Sequence, residues 1–235
     1  MSGFCLKGGL VQFTQSFPLP VPKVIVFQYN PETMTHSWTP ATANPGTPGH
    51  PGNPLAVTGQ PQETFSFTLA MDSNDDIADG NPASAGIAKA TGVYARLAAL
   101  EMLLFPVAPS SGGLVGAVTA TLGFIGGRSP QPKQQVPSAL LPMVLFVFGP
   151  NRIVPVRVTA LSITEKLYDA TLLNPTHVEA QTTLRVLTQD ELKFLTGPLG
   201  TLAYIAYSYS QALRGAEAIV NQENAGSSII GMLPV

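Results

Sequence analysis

Between Val178 and Val186 the chain alternates without a fault: Val178, Ala180, Thr182, Leu184 and Val186 interleave with Glu179, Gln181, Thr183 and Arg185. A period of two puts these sets on opposite faces of an extended strand, one for a core and one for water. A helix would scatter both sets around its axis, so this stretch commits the chain to a sheet with one wet face. Thr64–Met71 repeats the pattern, with Phe65, Phe67 and Leu69 in phase. Pro142–Phe148 (PMVLFVF) is apolar throughout and ends at Gly149-Pro150, the pattern of a strand covered on both faces.

Gly9–Phe13 and Lys23–Tyr29 read as two more strands, joined by a proline-rich turn at Phe17–Pro22. The second stops at Asn30-Pro31-Glu32, because the residue before proline is pushed out of the helical region into an extended or turn shape. Thr33–Trp38 then resumes, with Met34, His36 and Trp38 on one face. Arg152–Lys166 reads as a strand or a bent pair whose apolar phase slips around Ala160, as a bulge would cause. The period changes to a helical one over Ala83–Leu104, where Val93, Leu97, Leu100 and Leu104 form one stripe and Pro106 supplies the stop.

Two stretches lack any period. Residues 40–61 hold ATANPGTPGHPGNPL and read as a long exposed loop. Residues 108–137 have an apolar centre, Gly112–Gly127, that is too short and too glycine-rich to span a bilayer as a helix. The reading is a mainly β (α+β) fold over residues 1–190, an antiparallel β-sandwich or barrel with one flanking helix and insertions at 40–61 and 108–137. A C-terminal helical extension over 191–235 follows, with its helix at Thr201–Asn221 and a frayed end.

Charge narrows the function. Charged residues are 11% of the chain, against roughly 25% in an ordinary soluble domain. A surface so thinly charged is best solvated by burying much of it against other subunits. The net charge of −2 offers no basic field for a nucleic-acid backbone. The N-terminus carries no long apolar segment of the secretory type, so synthesis in the cytoplasm is expected. A lone cysteine, Cys5, excludes an internal disulfide and a cysteine-based metal site.

Catalytic parts are hard to find. The run Asp72-Ser73-Asn74-Asp75-Asp76 begins like a calcium loop but has Ile77 and Ala83 where that loop needs glycine and a bidentate glutamate. It reads as a turn that caps the next helix. His36, His50 and His177 stand at no metal-ligand spacing, and Glu165 and Asp169 could pair by proximity in sequence, but nothing else supports a hydrolytic site and a solvated strand end explains them. No serine sits in a nucleophile-elbow context. No enzyme, cofactor or metal is expected.

One ordered set of motifs points to a family. Val26–Glu32 (VFQYNPE) resembles the opening motif of the tube-like baseplate proteins of contractile, phage-tail-like injection systems, a strand ending in aromatic-Gln-aromatic-Asn-Pro-Glu. Leu97–Pro106 sits where that family has a helix ending near proline. Val144–Arg152 (VLFVFGPNR) and Thr159–Thr188, with SITEKLYDATLLNPTHVEAQTTLRVL, resemble its later strands, so the likeness covers residues 7–190 in outline. It implies a tail-tube-like fold assembling as a hexameric ring that joins the inner tube to the central hub and spike; the family's frequent contact with baseplate wedge proteins is not carried over to this chain. It implies assembly into a tail-like particle, released from the cell or not. Many family members end in a LysM domain; residues 191–235 show no such pattern.

The candidate interface residues on this reading are Gln28, Asn30, Pro31, Glu32, Arg152, Glu179 and Arg185. Three other readings compete: the tube or tube-initiator subunit of the same particle, a free-standing carbohydrate-binding β-sandwich, and a small hydrolase.

Overall fold

A computed structural model describes residues 6–14, 21–43, 53, 55–78, 82–106, 141–195 and 197–230. Cys5, the Phe17–Pro22 turn apart from its last two residues, His50 with the middle of the 40–61 loop, and the whole 108–137 insertion lie outside them.

Seven strands make one antiparallel sheet: β1 (Gly9–Thr14), β2 (Val21–Val26), β3 (Met34–Thr39), β6 (Gln62–Asp72), β7 (Met143–Val147), β8 (Ile153–Tyr168) and β9 (Pro175–Val186). Their order is β2-β1-β7-β8-β9-β6-β3. A separate two-residue ladder, β4 (Thr42–Ala43) with β5 (Val57–Thr58), pinches the base of the loop at 40–61. The β class and the C-terminal helix read from sequence are both present.

The sheet rolls on itself. β6 and β7 are separated by β9 and β8, which in a flat sheet would hold them roughly 14 Å apart. Yet the rings of Phe67 and Phe146 stack with centroids 5.5 Å apart, and Phe65 and Phe146 lie at 5.4 Å. Phe27, just past β2, meets Phe67 at 5.7 Å. The inner phase of every long strand converges on these rings: Leu10, Val144, Val154, Val156, Val158, Val178, Ala180 and Leu184 are all buried there. The slip read at Ala160 is a register shift between Val158 and Ala160, which lets β8 bend with the roll.

Helices close the open parts. α1 (Ser73–Ala78), α2 (Pro82–Thr91) and α3 (Tyr94–Glu101) follow β6. The single helix expected over Ala83–Leu104 is broken at Gly92, whose φ of +56° is a left-handed conformation that ends α2. A Cβ there would also stand 2.5 Å from the Pro175 carbonyl oxygen, so no other residue fits. α3 presses Val93, Leu97 and Leu100 into the rolled core. The fourth stripe position is Leu103 rather than Leu104, because the chain tightens after Glu101: Leu103 N–H donates to Leu100 O and Leu104 N–H to Glu101 O, each three residues back.

β7 is covered on both faces, as its unbroken apolar run demands. Val144 and Phe146 face the rolled core. Met143 and Leu145 face outward under the C-terminal elements, α4 (Gln189–Leu192) and α5 (Gly197–Ile230), where Leu192, Leu199, Ala203 and Ala206 bury them. α4 starts in a capping box, with Thr188 and Glu191 each bonding the other's backbone N–H. The helix backbone runs on to Ile230, through residues expected to fray. β2 stops at Val26, three residues short of the expectation, because Phe27 turns inward and Gln28 takes another partner.

Candidate functional site

The motif Val26–Glu32 works inside its own subunit. Gln28 Nε2 donates to the Asp72 carbonyl at 2.7 Å, and Asp72 N–H donates to Gln28 Oε1 at 2.9 Å. The side-chain amide thus imitates a strand's peptide group and ties the end of β2 to the end of β6 across the seam of the roll. Asn30 repeats the device: Gly8 N–H donates to its Oδ1 and its Nδ2 donates to Leu6 O, both at 2.8 Å. Replacing Gln28 by Leu strands an N–H and a C=O of partly buried backbone. We expect a loss of roughly 2 kcal/mol in urea unfolding, with faster amide exchange at Asp72. Stability equal to the parent would remove the seam role.

Between these amides, Tyr29 donates its hydroxyl to the Asp75 carboxylate. That bond, with partial burial and the nearby charges of Asp75, Asp72 and Asp76, pushes the phenol up from 10.0 to about 12. A raised pKa in the folded state means a contribution fully present below pH 10 and lost as pH rises through about 12. The phenolate absorbance of the parent minus that of Tyr29→Phe should therefore have its midpoint near pH 12, and Asp75→Asn should bring it down toward 10. A midpoint near 10 in the parent would contradict the bond.

The remaining carboxylates of the acidic run are also committed. Asp76 takes Arg96 in a two-pronged pair at 2.5 and 3.0 Å, and Asp72 Oδ1 accepts from Asn74 N–H at 2.8 Å. No metal-binding cluster occurs among the described residues. His36 stacks on Phe65 at 4.4 Å and bonds Glu63 at 2.8 Å; His177 lies 3.5 Å from Asp72. Asp169 and Glu165 do not act together: Asp169 accepts Thr171 and Leu172 N–H in the β8–β9 turn, while Glu165 accepts from Tyr168.

Of the other candidate interface residues, Arg152 lies 5.0 Å over the Phe65 ring and reaches Met34 Sδ at 3.6 Å. Glu179 pairs with Lys166 at 2.5 Å, a bond that holds its carboxyl below the usual range. Arg185 pairs with Glu191 at 2.6 Å; burial opposes ionisation of Glu191, but the bonds from Arg185 and Thr188 outweigh it. Glu32 is exposed and Pro31 half-buried on the surface.

Outside this set lies a broader feature. The outer faces of β3, β6, β9 and β8 form one wall of hydroxyls and amides. Thr35 opposes Ser66 and Ser37 opposes Thr64 across β3–β6. Thr68 opposes Gln181, and Ser66 opposes Thr183, across β6–β9. Ser162 and Thr164 oppose Gln181 and Glu179 across β8–β9. The charges on this wall, Lys166 with Glu179 and Arg185 with its α4 partner, are mostly paired, and Arg157 stands opposite Arg185. The wall ends in two free edges among the described residues. β3 pairs only with β6, and β8 beyond Val156 pairs only with β9. At the tip of the β8–β9 ribbon, Leu167 and Leu173 are each 71% exposed.

Sequence reasoning also missed a cleft of about 580 Å³ beside β3, where Trp38, Gln60, Glu63 and Tyr207 meet. One signal was there to read: Glu63 shares the buried phase of Phe65 and Phe67.

With this geometry in hand, comparison adds nothing to it: no protein-family model matches the chain, and no curated protein matches it. No helix among the described residues is long and apolar enough to cross a membrane.

Proposed function

We propose that this chain is a structural ring subunit at the baseplate end of a contractile, phage-tail-like injection machine, where its ring joins the inner tube to the central hub and spike. The observation that carries the reading is the hydroxyl and amide wall of β3-β6-β9-β8, bounded on opposite sides by unpaired strand edges. Such a wall is wet, nearly neutral and adhesive to little, as the lining of a transport channel must be. Its two edges differ, so pairing β3 of one copy with the outer edge of β8 in the next is a head-to-tail contact, which closes into a ring when the rotation fits.

The edges themselves favour pairing over exposure. β2, the other end of the sheet, is blunted by Pro22 and Lys23 and by the seam at Gln28. β3 reads Met-Thr-His-Ser-Trp-Thr, with neither proline nor formal charge to keep another strand away. A chain that is only 11% charged has the surface of a subunit that assembles.

The mass of the purified protein in solution, followed by electron microscopy of particles from its native host, tests the proposal. A ring, or a baseplate density that vanishes when the gene is deleted, supports it. A stable monomer absent from any tail-like particle overturns it.

A further inference from the structure

On the inner side of β3, one of the wall's edge strands, the cleft between β3, the start of β6, the β9–α4 corner and α5 has the makings of a ligand site. Two aromatic side chains and a proline wall it: Trp38, Tyr207 and Pro61. Trp38 is 44% exposed, and the Arg214 guanidinium lies 4.8 Å from its ring centre and helps to hold it in place. At about 580 Å³, the cleft is within the range of sites that enclose small ligands or short peptide segments.

The hydrogen-bonding groups left over in the cleft define what can enter. Gln60 Oε1 accepts from Tyr207 hydroxyl at 2.9 Å and from Gln189 N–H at 3.1 Å, and Gln60 Nε2 donates to Gln189 Oε1 at 3.1 Å. Those acceptors are spent within the protein. The Glu63 carboxylate is 3% exposed and held by His36 and Arg214, so it offers the cleft no negative charge. Thr188 is spent in the α4 capping box. What remains is mostly donors that no hydrogen bond uses among the described residues: the Trp38 indole N–H, the Gln189 side-chain NH₂ and the Ser208 hydroxyl, which can also accept, beside one amide oxygen, that of Gln211, whose NH₂ is turned to Tyr207.

Donors beside aromatic walls suit a ligand with acceptors and few donors. A run of prolines is such a ligand, because it presents backbone carbonyls and no N–H. Its extended left-handed helix is preformed in water, so little entropy is lost when it docks between aromatic rings. A saccharide, whose every hydroxyl is also a donor, would find only the Gln211 amide oxygen and the Ser208 hydroxyl to accept from it, fewer acceptors than its donors. We infer that this cleft is a docking site for a proline-rich polypeptide segment, with Trp38 and Tyr207 as its walls and Trp38, Gln189 and Ser208 as donors to the segment's carbonyls.

Trp38 is the chain's single tryptophan, so its fluorescence reports on the cleft alone. The full-length protein, held at one concentration so that its oligomeric state is constant, is titrated with a decaproline peptide and, separately, with a cello-oligosaccharide; the titration is read against that fixed baseline, so failure of the ring proposal leaves it interpretable. The expected result is a saturable change in Trp38 emission with decaproline, about tenfold weaker binding in Gln189→Ala, and none in Ser208→Tyr, which fills the cleft. Circular dichroism of both variants must match the parent. No response to decaproline overturns the inference. A saturable response to the saccharide alone also overturns it, and assigns the cleft to sugars.

Discussion

Phe146→Ala should cost about 4 kcal/mol of stability, the largest loss expected of any single truncation in the core. Phe146 is 0% exposed, and four rings surround it: Phe65 at 5.4 Å, Phe67 at 5.5 Å, Phe148 at 5.9 Å and Phe27 at 6.4 Å. Those rings come from β6, from β7 and its end, and from the segment after β2, elements that the roll alone brings together. Truncation leaves a cavity that cannot collapse without unrolling the sheet, so the cavity cost adds to the lost transfer energy. Phe194→Ala is the control, since that ring is exposed and should lose no more than about 0.5 kcal/mol. Urea unfolding followed by far-ultraviolet circular dichroism compares them. If both variants unfold at the parent's midpoint, the aromatic cluster does not hold the roll.

How much of this was legible beforehand depends on whether the information was local. The alternation of Val178–Val186 specifies β9 and both its faces, and its inner set is buried as read. The unbroken apolar run of β7 specifies two coverings, and the structure supplies a core on one side and α4–α5 on the other. The phase slip at Ala160 is a real register shift. These succeed because a strand's pattern is written in its own residues.

The misreadings have the opposite origin. Gly92 breaks the helix expected over Ala83–Leu104, but it does so by meeting Pro175 on a distant strand. Other features were simply out of reach: Gln28 and Asn30 are candidate interface residues from the family likeness, and the sequence does not show that each amide also pairs with backbone far along the chain, Gln28 at a separation of 44 residues. The hydroxyl wall emerges only once the order β3-β6-β9-β8 is known, since each strand alone shows just a polar face. The cleft is the extreme case. Glu63 is visible in sequence as a charge in a buried phase, which demands a partner; that partner, Arg214, is 151 residues away.

That partnership leads to the second large effect. Arg214→Ala should destabilise the protein by roughly 2–3 kcal/mol, because it leaves the Glu63 carboxylate, 3% exposed, with His36 alone. The figure lies below the roughly 3–5 kcal/mol of a fully buried broken pair because Arg214 is itself 31% exposed and partly solvated. Loss of the guanidinium also removes the contact over Trp38, so the tryptophan emission should change in the native baseline. Backbone amides of α5 around Glu217 should exchange faster, since the Asn151–Glu217 bond at 3.2 Å would then be, among the described residues, the last side-chain tether beyond Arg214. The double variant Glu63→Leu, Arg214→Leu separates the two explanations of the loss. If the cost of Arg214→Ala comes from a stranded buried charge, removing the charge as well should restore most of the stability. If the double variant is no more stable than Arg214→Ala, the loss comes from the attraction within the pair and not from a stranded charge, and the hold of α5 on the mouth of the roll is electrostatic rather than a matter of packing.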